Sequence, residues 1–536
     1  MRRLFLWVLL VGLASTVAQV FAIDPKLDAP PASIESITAR EIGGHLRFLA
    51  SDLMKGRDTA SPEIRLAGEY LAAHLYAAGA QPLGDQSPKG RTYFQRFPLE
   101  VVTPLSQGSE LTLTLDLGGA KRVVSCKLGE DYVLRPHGVI GGEIEADVVF
   151  VGYGRDDPEK KIDDYAGLIV EDRFVLVFEG NPGDAPAKPG ETAPFTNPFA
   201  KREAARKHGA LGVLVIQPPG RNSTPPRIPF SARNLGFDEP NLSLAPSPSV
   251  VPVVTLADPI RDLLESSLKL QTEGDSRPKA PHNALRVRFR HAVKREARED
   301  RNVLGFMPGV DPKKKNEVVV FSAHYDHEGV NAKGEIFNGS DDNASGTSAV
   351  LEIAEAFGLS PRPARSVAFL WVSGEEKGLL GSEWYADHRI LPDGAVIVAD
   401  INLDMVSRND SKKIGVTPSP KHADYNSLIP AAREACKIEG LEAVFDTDPF
   451  YGRTDSFNFA KKGIPIVFFF SGIHEDYHRP TDDFEKADLE KAAHVARAAF
   501  RLGWKTAQDE AAPKKIPAPV DEKPDGDKTV DLKTSH

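Results

Sequence analysis

The chain has 536 residues, 41% apolar and 26% charged, with 66 basic against 76 acidic side chains for a net charge of −10. That length exceeds one ordinary core and suggests about two to four structural units in a soluble globular protein. The acidic balance, with no concentrated basic stripe, argues against nucleic acid as the main partner. Two cysteines, Cys126 and Cys436, exclude a disulfide scaffold and leave a single bridge open.

Residues 1–22 read as a signal peptide: a basic "MRR", an apolar "LFLWVLLVGLA", and "VFA" ending at Ala22 as the cleavage site. The apolar run is short for a membrane span. The expectation is an exported protein, secreted or periplasmic, with no stable membrane insertion after cleavage. Residues 23–139 begin with helical patterning, as in "EIRLAGEYLAAHLYAAGA" (63–80), and continue with strand-like stretches at 107–134. From 140 to 290 short apolar strands such as "RFVLVFEG" and "LGVLVIQPP" alternate with Pro/Gly-rich loops. This segment reads as a separate, mainly β module containing one helix, "PFAKREAARKHGA". Residues 291–507 alternate strand and helix. Strands are expected at 317–323, 366–372, 394–406 and 463–472, and helices at 345–357, 381–389, 423–437 and 488–507. Continuous apolar strands between helices indicate an α/β fold, with a mainly parallel sheet covered on both faces. Residues 508–536, rich in Pro, Lys and Asp, read as a disordered tail.

Ligand sites in open α/β sheets lie beyond the carboxyl ends of the strands. In this chain those ends carry His324 and Asp326 in "HYDH", Asp341 and Asp342 in "NGSDDNASG", and Glu375 and Glu376 in "SGEEKGLLGS". They also carry Asp404 in "NLDMV", and His474 and His478 in "HEDYHRPTDD". Histidines mixed with carboxylates suit zinc, and this many suit two ions better than one. Adjacent glutamates in extended or turn backbone point in different directions. One can therefore ligate a metal while the other takes a proton from water. "HEDYH" also matches H-E-x-x-H, which needs a helix to bring both histidines to one face. Pro480 and the preceding strand leave little room for such a helix. No G-x-S-x-G nucleophile elbow occurs.

Taken together, "SAHYDH", "NGSDDNASG", "SGEEKGLLGS", "NLDMV" and "YHRPTDD" resemble the metal-site motifs of the co-catalytic zinc exopeptidases of metallopeptidase family 28. The 140–290 module resembles the protease-associated (PA) domain that many members carry as an insertion. The resemblance implies a zinc-exopeptidase, phosphorylase/hydrolase-like fold and two Zn²⁺ per chain. By the same resemblance, His324 and Asp404 hold one ion, Glu376 and His478 the other, and Asp342 bridges them. The peptide bond after Asp342 is cis in the family. Glu375 matches the general base, Asp326 the carboxylate that orients the first histidine, and Tyr477 a hydroxyl that steadies the oxyanion. His327 and Asp341 are read as neighbours rather than ligands. "YGRTDS" (451–456) departs from the family's G-S-D-H: Thr454 and Ser456 replace the serine and histidine, Asp455 is kept, and Arg453 is a candidate for a substrate carboxylate.

The expected activity is that of an aminopeptidase acting on peptide or protein N-termini. A metal-bridging hydroxide attacks the scissile carbonyl, and Glu375 carries the proton to the leaving amine. Three alternatives stay open: a carboxypeptidase or dipeptidase of the same family, a single-zinc glutaminyl cyclase, and a non-catalytic receptor-like homologue. The pattern carries no signal for an oligomeric state.

Overall fold

The computed structural model describes residues 29–519, apart from 135–140, 159, 182–197, 219–240, 246–250, 274–276 and 280–283. The expected signal peptide and positions 520–536 of the expected tail lie outside the described residues. The chain divides into two compact units, one formed by residues up to Arg96 together with those from Arg301 on, the other by Phe97–Asp300.

The first unit is an α/β fold with helices on both faces of a mixed sheet. Its strands are β1 (Val293–Met307, entering this unit at Arg301), β2 (Glu317–His324), β3 (Ser366–Val372), β4 (Val396–Asp404), β5 (Lys413–Thr417), β6 (Glu442–Val444) and β7 (Ile466–Phe470). They lie in the order β1-β3-β2-β4-β7-β5-β6. The central four, β3, β2, β4 and β7, are mutually parallel. β1 runs antiparallel to β3, and β5 antiparallel to β7. Beside the short helix Pro31–Ser36, the helices are α1 (Ala39–Leu49), α2 (Pro62–Ala77), α3 (Gly346–Leu359), α4 (Leu380–Asp387), α5 (Leu428–Ile438), α6 (Ser456–Ala460) and α7 (Leu489–Gln508).

Strands buried on both faces carry apolar residues at every position, because successive side chains point to opposite sides. In β2, Val319, Phe321 and Ala323 join the core under α1, α2, α3, α5 and α7. Val318 and Val320 face the other way, toward Tyr385 of α4 and Phe459 of α6. Burying a side chain the size of Phe321 contributes about 1.5–3 kcal/mol. α7 crosses this face so closely that a Cβ at Gly503 would stand 2.0 Å from the Phe321 ring. Gly503→Ala is therefore expected to lower the melting temperature despite its better helix propensity, since overpacking costs about 1–3 kcal/mol. Thermal denaturation checks this, and an unchanged or higher Tm would contradict it.

The second unit holds an eight-stranded sheet and two helices, Pro198–Lys207 and Asp258–Leu268, among its described residues. Strands Gly142–Phe150, Phe174–Phe178, Gly212–Ile216 and Val253–Leu256 run parallel. Leu285–His291 pairs antiparallel with both Gly142–Phe150 and Glu110–Asp116. The strands at 107–134, read from sequence as part of the N-terminal segment, thus belong to this sheet. The unit's edges fall at Phe97 and Asp300 rather than at 140 and 290. The reason is long range: Glu110–Asp116 finds its partner about 170 residues later, which no local pattern discloses.

Two short strands that periodicity did not indicate, β5 and β6, complete the edge of the first sheet. The start of the expected tail is also ordered. The Ser427 N–H donates to the Lys514 carbonyl and the Ile516 N–H to that of Tyr425, while Ile516 packs on the core. Cys126 and Cys436 are buried and free. Among the described residues no helix is long and apolar enough to cross a membrane.

Candidate metal centre

The parallel strands end at one edge of the sheet, and the sequence-selected acids and imidazoles gather there. His324 is the last residue of β2 and Asp404 the last of β4. Asp342 sits in the kinked turn Ser340–Ser345 ahead of α3, and its peptide bond to Asn343 is cis. Glu375 and Glu376 follow β3, and His478 lies in the turns that follow β7.

Asp342 divides its two oxygens between two groups. Oδ1 lies 3.3 Å from His324 Nε2, and that nitrogen is 3.2 Å from Asp404 Oδ1. Oδ2 lies 3.2 Å from His478 Nε2, which is 3.0 Å from Glu376 Oε2. In a tetrahedral zinc site with bonds of about 2.0–2.1 Å, ligand atoms stand about 3.3 Å apart. The two groups have that spacing. His478 Nε2 is buried and makes no hydrogen bond despite these neighbours. A nitrogen lone pair and carboxylates crowded this way fit a pair of cations.

The electrostatics agree. Burial works to raise the Asp342 carboxyl, but the imidazoles of His324 and His478 outweigh it and hold it well below the usual range. Burial pushes Glu375 well up; His324 draws it down, and Glu376, Asp455 and Asp404 push it further up. Asp404 is raised to about 6 by burial, against His324. His478 is pushed up to about 10, its contacts with Asp342 and Glu376 outweighing burial. Met405 and His478, one beside a candidate ligand and one such a ligand itself, hold left-handed backbone. Such strain costs on the order of 1–3 kcal/mol and clusters at functional sites.

The supporting residues differ in detail from the sequence expectation. Nδ1 of His324 faces the backbone carbonyl of Asp326 at 3.2 Å, while the Asp326 carboxylate is 3.7 Å away. That carboxylate instead accepts the backbone N–H of Glu375 at 3.2 Å and the Thr59 hydroxyl at 2.9 Å. Asp326 therefore holds the Glu375 backbone as well as neighbouring His324. His327, read as a neighbour, stands 2.7 Å from Glu376 Oε1 and turns the other oxygen toward His478. Asp341 accepts from the Ser407 N–H and hydroxyl and lies 3.3 Å from His474. His474 and His478 thus face different acids, and 474–478 is turn rather than helix, with Glu475 exposed.

Two supports carried no sequence signal of their role. Asp482, inside "YHRPTDD", accepts the N–H groups of both Asp341 and Asp342 and steadies the shared carboxylate. Arg57, fully buried, donates to the carbonyls of Leu49, Tyr325, Asn338 and Gly339, tying the loops of His324 and Asp342 together. Arg57→Met would take this donor from the Leu49, Tyr325 and Asn338 carbonyls, at about 1–3 kcal/mol each before relaxation, while Gly339 keeps the Ala344 N–H. The expected loss in urea denaturation is more than about 3 kcal/mol, and a loss under 1 kcal/mol would contradict this account.

Tyr477 and Arg453 border the cleft beside the acids. Arg453 Nη2 lies 3.4 Å from the Tyr477 hydroxyl oxygen, and its guanidinium sits 5.2 Å from the centre of the Phe450 ring. Met405, Phe450, Phe468, Phe470 and Ile473 give the same cleft an apolar wall. Buried Asp455, raised to about 7 by burial, stands behind Glu375.

A mixed α/β sheet that gathers two metal-fitting groups and a further buried carboxylate at its strand ends is an arrangement that suits metal-dependent hydrolysis. Residues 302–502 match the model of peptidase family M28. A probable leucine aminopeptidase of Trichophyton verrucosum (strain HKI 0517) is 28% identical over 207 residues, 37% of this chain and 56% of that protein. Aminopeptidase YwaD of Bacillus subtilis (strain 168) is 28% identical over 209 residues, 38% of this chain and 44% of that protein. The match thus spans about half the length of these curated relatives. Among solved structures, the aminopeptidase from Aneurinibacillus sp. strain AM-1 shares the fold. It has a TM-score of 0.50 and 20% identity, over 91% of this chain and 97% of that one.

Proposed function

We propose that the protein is an exported aminopeptidase that works with two zinc ions and removes N-terminal residues from peptides or proteins. The observation that carries this reading is the division of Asp342 between the His324/Asp404 and Glu376/His478 groups. Ions held there would polarise the scissile carbonyl and lower the pKa of water. Glu375, outside both groups, would accept the proton of the attacking water and pass it to the leaving amine. The Tyr477 hydroxyl accepts from Arg453, which frees its own proton for the oxyanion. Asp326 would position both His324 and Glu375 through the contacts described above.

The apolar wall of the cleft suits an apolar substrate side chain. The names of the matched relatives support the same direction. Export rests on the leader-like residues 1–22, and the 140–290 module is proposed as the PA-like insertion, supplying no metal ligand.

One observation favours a second reading. Arg453 at the cleft could grip a terminal carboxylate, as a carboxypeptidase or dipeptidase requires. Hydrolysis of aminoacyl-nitroanilides but not of their N-acetylated forms is expected for the aminopeptidase. Cleavage of N-acetylated peptides with a free C-terminus would overturn it.

A further inference from the structure

A second set of metal-ligand side chains lies on the helical face of the first unit and shares no residue with the Asp342 centre. Three helices build it through side chains three or four apart on one face. α1 supplies His45, α2 supplies Tyr70 and His74, and α3 supplies Glu352 and Glu355 in its second and third turns. Ligand atoms of His45, His74 and Glu355 all lie within 4.8 Å of one another. The two imidazole rings meet edge to face at 4.6 Å, and His74 Nδ1 is 3.4 Å from Glu355 Oε1.

The hydrogen bonds around His45 have the form a ligating imidazole needs. Its Nε2 lies 3.0 Å from Oε1 of Glu352, a carboxylate only 1% exposed, and its Nδ1 lies 2.8 Å from the Tyr70 hydroxyl. Metal-bound histidines typically donate their second N–H to a carboxylate, which fixes the tautomer and leaves the other nitrogen with its lone pair. With Glu352 in that role, Nδ1 keeps its lone pair, which faces the Tyr70 hydroxyl and which an ion would take over. We propose that His45, His74 and Glu355 form a third, structural site for a divalent transition ion, with Glu352 orienting His45. Two imidazoles and a carboxylate select zinc over calcium or magnesium, which prefer all-oxygen surroundings.

Access points the same way. The side chains of His74 and Glu355 are 29% and 35% exposed, which gives an ion a way in and a place for a water ligand. An ion there would clamp α1 and α2 to α3, the helix that starts just after the Asp342 turn. Binding to the folded state alone stabilises it.

The test is metal content after chelator stripping, zinc reloading and desalting, read by native mass spectrometry. The half-exposed positions permit His74→Ala and Glu355→Gln without opening the core. Each is expected to retain one zinc fewer than the parent protein, and to lose part of the zinc-dependent rise in Tm. Because the readout is a difference, it stands whatever the Asp342 centre holds. Conversely, a His324→Ala/His478→Ala protein should keep one ion that adding His74→Ala removes. Equal zinc in parent and His74→Ala proteins, or no retained ion in the double variant, would overturn the proposal.

Discussion

Glu375→Gln should lower kcat/KM by roughly 10²–10⁴-fold, the range a positioned general base contributes. The amide keeps the size of the side chain, and the Asp326 carboxylate still receives the backbone N–H of residue 375. What is lost is the proton acceptor. Metal content should stay at the parent value, because the contacts of both metal groups are made by other residues. The comparison with Glu376→Gln is the sharper half of the experiment. Glu376 Oε2 sits 3.0 Å from His478 Nε2, so its amide should weaken one ion, and added metal should partly restore activity. Glu475→Gln, at an exposed turn, should be mild. A fully active Glu375→Gln enzyme would end the assignment of the base, and an inactive Glu475→Gln would revive the H-E-x-x-H reading.

Asp342→Asn should do more damage than any other single ligand change, because one side chain serves both groups. Losing an outer-shell partner of a metal ligand typically costs 10–100-fold in affinity or activity, and losing a ligand oxygen should cost more. Both ions should therefore bind more weakly. Withdrawal of metal polarisation, worth several kcal/mol, should lower activity by at least about 10²-fold. Asp404→Asn and His478→Asn should each weaken a single position, Asp404 on the His324 side and His478 on the Glu376 side. Metal titration of the three variants checks this. An Asp342→Asn protein that loses only one ion would show that the carboxylate is not shared.

Much of this arrangement was legible without coordinates. β2, β3, β4 and β7 are continuous apolar runs, and strands of that kind, separated by helices, have few alternatives to a covered parallel sheet. Once the sheet is accepted, chemistry at the strand ends follows, and His324, Asp342, Glu375, Glu376, Asp404 and His478 stand at those ends. Short-range signals sufficed for His324, Glu375, Glu376 and Asp404, which end a strand or directly follow one, whereas Asp342 and His478 sit further along the loops after β2 and β7. β5 and β6 escaped notice because five and three residues are too few to show a period.

What the chain order alone determined, then, is which chemistry is present and at which edge of the sheet it stands. Only the tertiary structure decided how the groups divide and what holds them. The two oxygens of Asp342 face different histidines because the 340–345 turn is set by Arg57 and Asp482, both distant in sequence, the latter 140 residues after Asp342. The Asp326 carboxylate supports Glu375 as well as neighbouring His324 because β2 and β3 pair in register, His324 opposite Val372. The second sheet reaches back to Glu110 for the same kind of reason. Hydrogen bonds to buried carbonyls and amides are satisfied by whatever the fold brings near, and sequence distance does not limit them.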